Sequence, residues 1–170
     1  MTTTFVDSPL GSVRISGDDA GVSVISCIDV PANDDRSDTL QIDYLPEPVR
    51  LAVQQLEEYF AGGRQAFDFL MNPVGTAFQQ SVWRALLNVP FGTTLSYLTL
   101  TRRVGDEKAI RAVAAANGRN PLWIVVPCHR IIGSDGSLTG YAGGLWRKQW
   151  LLEHERVLSG RETGKQLSLF

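Results

Sequence analysis

The 170-residue chain predicts an α+β protein in two parts: a small N-terminal antiparallel sheet with a helix, then a mostly helical domain with a pair of short helices. Three observations lead there. Polar and apolar residues alternate over the first forty-five positions, the period of half-buried strands. Helical apolar periods begin at Pro46 and dominate from Thr76. Charge divides with them. Residues 1–75 carry four basic against twelve acidic side chains, a net of −8, and residues 76–170 carry twelve against six, a net of +6. Such asymmetry suits either a polyanion-binding second half or an accidental mixture of solvated faces.

In order, Val13–Ile15 and Gly21–Ile28 read as strands, with turns at Ser8-Pro9-Leu10-Gly11 and Gly17-Asp18-Asp19. Pro31–Ser37 is a polar loop. Val49, Val53, Leu56 and Phe60 give a helical face over Pro46–Phe60, stopped by Gly62-Gly63, and Phe67–Leu70 reads as one more strand. The domain boundary falls near residue 75. Thr76-Ala77-Phe78-Gln79 fits a capping box, and Phe78, Val82, Ala85, Leu86 and Val89 form one apolar face behind it. Two short helical patterns, Tyr97–Val104 and Lys108–Asn117, flank Gly105-Asp106; they read either as a helix-turn-helix or as an ordinary packed pair. Then come an apolar strand at Trp123–Val126, a turn at Ser134-Asp135-Gly136, a glycine loop at Gly140–Gly144 and a final helix over Leu145–Glu155. The second domain spans 76–160, and 161–170 is a polar tail ending in apolar residues.

No apolar run reaches membrane-spanning length, and the N-terminus lacks the blocks of a signal peptide, so cytoplasmic residence is the expectation. Two cysteines, Cys27 and Cys128, are too few for a disulfide framework. Cys27, Cys128, His129 and His154 show no CxxC or HxxxH pairing, so no metal site is expected.

The stretch Ile124-Val-Val-Pro-Cys-His-Arg-Ile-Ile-Gly133 interrupts an apolar run with Cys128, His129 and Arg130. A thiolate is the reactive form of cysteine, and a neighbouring imidazole lowers a thiol pKa. On a regular strand Cys128 and His129 would point to opposite faces, so the pair works together only if Pro127 introduces a turn or a water bridges them. Glu155 on the last helix is a candidate third group to orient the imidazole. Alone, a Cys-His dipeptide fits a buried structural cysteine as well.

The surrounding residues change that balance. Phe78-Gln-Gln-Ser-Val-Trp83, Pro90-Phe-Gly92, Ser96-Tyr97, Arg111-Ala-Val113, Asn120-Pro121, Val126-Pro-Cys-His-Arg130, Gly140-Tyr-Ala-Gly-Gly144 and Leu151-Leu152 to Glu155 occur in the order and spacing of one family. In these motifs the chain resembles the O6-alkylguanine-DNA alkyltransferases, the methylated-DNA–protein-cysteine methyltransferases. The resemblance implies a winged-helix-like helix-turn-helix in the second domain and a single-turnover repair reaction without a cofactor. Cys128 would take the alkyl group from O6 of a flipped guanine, and possible activity on O4 of thymine comes with the resemblance. His129 would draw the thiol proton through a water, Glu155 would hold the imidazole, and Tyr97 would donate to the purine. Asn120 would tie the active turn to the helix pair. Arg111 would fill the vacated stack, with Ala112 and Ala114 against the minor groove and Tyr97 and Arg130 also at the DNA. Pro127, Ile131, Tyr141, Ala142 and Gly143 would line the base pocket.

Two departures stand out: Ala114 replaces a frequent glycine, and Leu98-Thr99-Leu100-Thr101 replaces a glycine-and-acidic segment. Double-stranded DNA is the implied partner of what would be a monomer. One rival is a non-enzymatic lesion-binding protein, but such members lack the cysteine that Cys128 supplies. Another is a helix-turn-helix regulator whose cysteine senses alkylation, which would dimerise on specific major-groove sites. The last residues, Gln166-Leu167-Ser168-Leu169-Phe170, resemble the pentapeptide that binds the bacterial replication sliding clamp; a tail folded back on its own surface is the alternative.

Overall fold

A computed structural model describes residues 1–29 and 42–160. The chain divides into two compact units, the first Met1–Val74 and the second from Gly75 onward. The tail and the loop at Pro31–Ser37 lie outside the described residues.

In the first unit β1 (Thr2–Ser8), β2 (Gly11–Asp18) and β3 (Gly21–Ile28) form an antiparallel sheet in chain order. Two side-chain-pinned turns set its register. Ser8 Oγ accepts from Leu10 N and donates to Gly11 O, and Asp18 Oδ1 accepts from Ala20 N. β1 has no large apolar residue before Phe5, so its alternation is faint in the sequence, yet all seven of its residues pair with β2. Helix α1 (Glu47–Phe60) has prolines at positions 46 and 48, and it buries Val49, Ala52, Val53, Leu56 and Tyr59.

The strand expected at Phe67–Leu70 does not form. Among the described residues an isolated parallel bridge, Val22 to Met71, follows directly after this segment. The Gln55 side chain explains why: its Oε1 takes the Asp68 backbone N–H at 3.0 Å and its amide donates to the Asp68 carboxylate. That N–H is therefore lost to any ladder, while Phe67 and Phe69 pack as an aromatic row with Tyr59.

In the second unit α2 (Ala77–Leu86) begins at the capping box: Gln79 N donates to Thr76 Oγ1 and Thr76 N to Gln79 Oε1. The two-residue β4 (Leu95–Ser96) leads into α3 (Tyr97–Val104), whose N-cap is Ser96. A 3-10 turn at Glu107–Ala109 leads into α4 (Ile110–Gly118). Val82, Leu86, Leu100, Val113 and Ala116 are buried where these three helices meet. Burying such side chains stabilises by roughly 1.5–3 kcal/mol each for the larger ones, against the entropy of ordering them. β5 (Ile131–Ile132) pairs in parallel with β4. Helix α5 (Leu145–Ser159) runs one turn beyond the expected end and stops at Gly160, whose φ is 65°.

The strand expected at Trp123–Val126 is instead a buried series of turns. Val125 N bonds Trp123 O, Val126 N bonds Leu122 O, and Ile124 takes a φ of 74°. Asn120 imposes this. Its Nδ2 donates to Leu122 O and Val126 O, and its Oδ1 accepts from Leu122 N. A side chain that binds both ends of a segment curls it, whatever its apolar content. Among the described residues no helix is long and apolar enough to cross a membrane.

Candidate active site

Pro127 ends the turn series with φ −82° and ψ 61°, and Cys128–Arg130 follow as a 3-10 turn. The strand rule that would send Cys128 and His129 to opposite faces therefore does not apply. Asn120, 3 % exposed, donates to Cys128 Sγ at 3.2 Å, and its backbone N donates to Asn117 O, coupling the active turn to the end of α4.

Glu155 lies behind His129. His129 Nε2 meets Glu155 Oε1 at 2.8 Å, and both residues are fully buried. The same carboxylate receives Arg130 Nε at 2.8 Å and a second guanidinium nitrogen at 2.9 Å, while the third donates to Val89 O at 2.6 Å. Burial pushes the Glu155 pKa up, but His129 and Arg130 outweigh it and hold the group well below the usual carboxylate range. An ionised carboxylate only accepts, so Nε2 carries the imidazole proton and Nδ1 is the basic nitrogen. Nδ1 has no hydrogen-bond partner among the described residues. Burial lowers the His129 pKa, against the opposing charge of Glu155.

Arg130 departs from expectation. It is not at the surface for DNA: it is 6 % exposed and each nitrogen of its guanidinium donates to Glu155 or Val89. Its chemistry is the neutralisation of a buried carboxylate.

Burial raises the Cys128 thiol pKa, while the Asn120 hydrogen bond and the Lys148 charge oppose the rise. Lys148 carries no motif in the sequence. It is fully buried on α5, with Nζ 2.5 Å from Ile131 O and 3.3 Å from Gly140 O. Burial lowers its pKa to about 8, against the pull of Cys128, which leaves it largely charged at neutral pH. Its signal is present in hindsight, because Lys148, Leu151, Leu152 and Glu155 recur at helical spacing on the buried face of α5. Arg147 also escaped the sequence reading: it is buried and donates to Gly143 O at 2.9 Å, so α5 holds the glycine loop from both ends.

A pocket of about 240 Å³ includes the cysteine in its lining, with Tyr97, Ala114, Asn117, Gly118, Trp123, Gly140, Tyr141 and Ala142. Tyr97, at the start of α3, donates to Thr139 O at 3.4 Å, and burial raises its phenol pKa. Tyr141 packs against Trp123 at 5.7 Å between ring centroids. Pro127, Ile131 and Gly143 are buried and are not among the residues that line this pocket. Gly143 has no room for a side chain, since a Cβ would approach the Trp123 ring to 2.8 Å. Arg111 and Ala112 are exposed on the first turn of α4, and Ala114 lines the pocket. Among the described residues no cluster of His, Cys, Asp and Glu could hold a metal ion.

Residues 1–73 match the family model of the 6-O-methylguanine DNA methyltransferase ribonuclease-like domain, and residues 77–157 match that of the 6-O-methylguanine DNA methyltransferase DNA binding domain. A methylated-DNA–protein-cysteine methyltransferase of Methanosarcina acetivorans is 43 % identical over 155 residues, 91 % of this chain and 98 % of the relative. One from Mycolicibacterium paratuberculosis is 43 % identical over 165 residues, 97 % and 96 % of the two chains. The crystal structure of Mycobacterium tuberculosis O6-methylguanine methyltransferase superposes with a TM-score of 0.76 at 39 % identity, covering 96 % of this chain and 95 % of that one. The Mycobacterium tuberculosis protein in complex with DNA gives 0.78 at 40 % identity, covering 92 % and 93 %. Matched along nearly its whole length by both domain models and by these relatives, the chain belongs to the methylated-DNA–protein-cysteine methyltransferase family.

Proposed function

We infer that the protein repairs alkylated DNA by moving the alkyl group from O6 of guanine to Cys128, once per molecule. The observation that carries this reading is the thiol in the lining of the pocket, beside an imidazole whose tautomer an ionised carboxylate fixes.

His129 Nδ1 accepts the thiol proton through a water, and the charged Lys148 favours the thiolate that results. Sγ attacks the alkyl carbon as the carbon–O6 bond breaks, and the bonding pair passes to O6 and the purine ring. The proton then returns to the base, so guanine is restored and an S-alkylcysteine remains. Tyr97 donates a hydrogen bond to the purine as charge develops on it. A thioether has no leaving group that water displaces under mild conditions, hence the single turnover. O4-alkylthymine offers the same carbon to the same nucleophile.

A base inside a duplex cannot reach a buried thiol, so the nucleotide flips out at a cost of a few kcal/mol. α3 and α4 act as the helix-turn-helix. Exposed Arg111 fills the gap in the stack, and the small Ala112 and Ala114 allow close approach along the minor groove. The positive second half and the DNA complex of the Mycobacterium tuberculosis protein support this docking of a cytoplasmic monomer. Cys128→Ser tests the assignment: the variant is expected to bind an O6-methylguanine duplex as the parent does and to repair none of it. Repair by the variant would end this reading.

The tail adds a tether. Gln166, Leu167, Leu169 and Phe170 dock in an apolar cleft of the bacterial sliding clamp, keeping the protein near newly copied DNA. Titrating clamp with the full chain and with one ending at Lys165 tests this. Loss of binding on truncation is expected, and equal binding or none by both chains would contradict it.

A further inference from the structure

Arg147 stands in the first turn of α5, between the glycine loop and Lys148, and falls outside every motif that carries the family resemblance. It is 5 % exposed, and Lys148 beside it is fully buried. Two buried cations there face the positive end of the helix dipole, and the first turn holds no acidic residue to offset them. A local rule broken in this way points to a demand made by function. For Lys148 that demand is the Cys128 thiol. Arg147 needs a different one.

Its contacts run to the loop. Nη1 donates to Gly143 O at 2.9 Å, and the guanidinium lies over the Trp146 ring, 4.5 Å from its centroid. Two backbone bonds tighten the same corner, Gly144 N to Tyr141 O and Arg147 N to Gly144 O. A Cβ at Gly143 would come within 2.8 Å of the Trp123 ring, 3.0 Å of the Tyr141 ring and 3.2 Å of Arg147 Cδ. The Gly143 backbone is therefore enclosed by two aromatic rings and the arginine stem. Both rings line the pocket that includes Cys128, and they pack on each other. Gly143 does not line it. Its carbonyl is where α5 grips the chain beside the two rings.

We propose that Arg147 is a positioning residue for alkyl transfer: by holding Gly143 it fixes the Trp123–Tyr141 pair before substrate arrives, so that the loop is not ordered at the expense of binding. This rests on the alkyl-transfer reading above. Order supplied in advance removes an entropic cost from association. The thiol and His129 belong to the 3-10 turn, with their own bonds to Asn120 and Glu155, so the role concerns the loop and leaves the proton chemistry untouched.

Single-turnover transfer from a short O6-methylguanine duplex separates the half-saturating concentration from the limiting rate. Arg147→Met keeps the apolar stem and loses the donor. Its half-saturation is expected to rise roughly tenfold, the loss of one buried hydrogen bond. Its limiting rate, the pH midpoint of that rate and its affinity for unmodified duplex are expected to match the parent. Arg147→Lys restores a donor and is expected to recover most of the loss. Arg147→Ala reads the same split should the methionine prevent folding, and titration of reactive thiol counts the folded molecules in each sample. Half-saturation unchanged in the variants without a donor, a fall in limiting rate alone, or no recovery in Arg147→Lys would overturn the proposal. Failure of the parent to transfer the methyl group would instead overturn the alkyl-transfer reading itself.

Discussion

At the residue scale the site is a problem of two buried charges. Arg130 neutralises Glu155, and Glu155 fixes the tautomer of His129. Removing one partner of such a pair strands the other, so Arg130→Leu is expected to destabilise the second unit by about 3–5 kcal/mol. Chemical denaturation of the free protein measures this. A stability loss without a specific loss of DNA affinity in the protein that remains folded would match the buried position of Arg130; the reverse would contradict it. Lys148 gives a pH prediction. Below about pH 8 its ammonium is charged and favours the Cys128 thiolate. In Lys148→Met the rise of reaction rate with pH, followed on free O6-benzylguanine, is therefore expected to shift to higher pH. Lys148 also bears on stability. Between about 8 and its ordinary 10.5 the unfolded chain holds a proton that the folded chain lacks, so this group makes stability rise with pH across that window. The same slope is expected to be missing in Lys148→Met.

At the scale of elements, α4 and the turns after it have separate tasks. Arg111 is exposed on the first turn of α4. Arg111→Ala is expected to slow repair of duplex DNA severely while O6-benzylguanine reacts nearly as before; Tyr97→Phe is expected to slow both by roughly tenfold, the loss of one hydrogen bond to the base. Equal losses on duplex and free base for Arg111→Ala would contradict its role in the stack. The sequence was legible for helices and for caps. The box at Thr76 and Gln79, α3 and the start of α5 follow from local pattern and end chemistry. It misled at Phe67–Leu70 and Trp123–Val126. In both places one amide side chain, Gln55 or Asn120, takes backbone partners that a strand would need. Apolar periodicity does not register such bonds.

At the scale of the whole molecule, the motif spacing identified the family, while the helical half of the candidate site resisted reading. Lys148, Arg147 and Asn117 are polar residues on helices, and apolar periodicity does not say which polar residues join the buried face. Only the packing of α5 against the 3-10 turn, and of Trp83 on α4, turns them inward. Arg130 was misplaced for the complementary reason, because an arginine beside a reactive cysteine in a DNA-binding protein invites a phosphate contact. The central claim is that Cys128 is the terminal acceptor of one alkyl group. Intact-protein mass measurement with peptide mapping, after incubation with excess O6-methylguanine duplex, tests it most directly. The account predicts a single added methyl group on the peptide bearing Cys128, with repaired guanine equal to protein and no further repair on longer incubation. Repeated turnover by unmodified protein, or a methyl group mapped to Cys27, would contradict it.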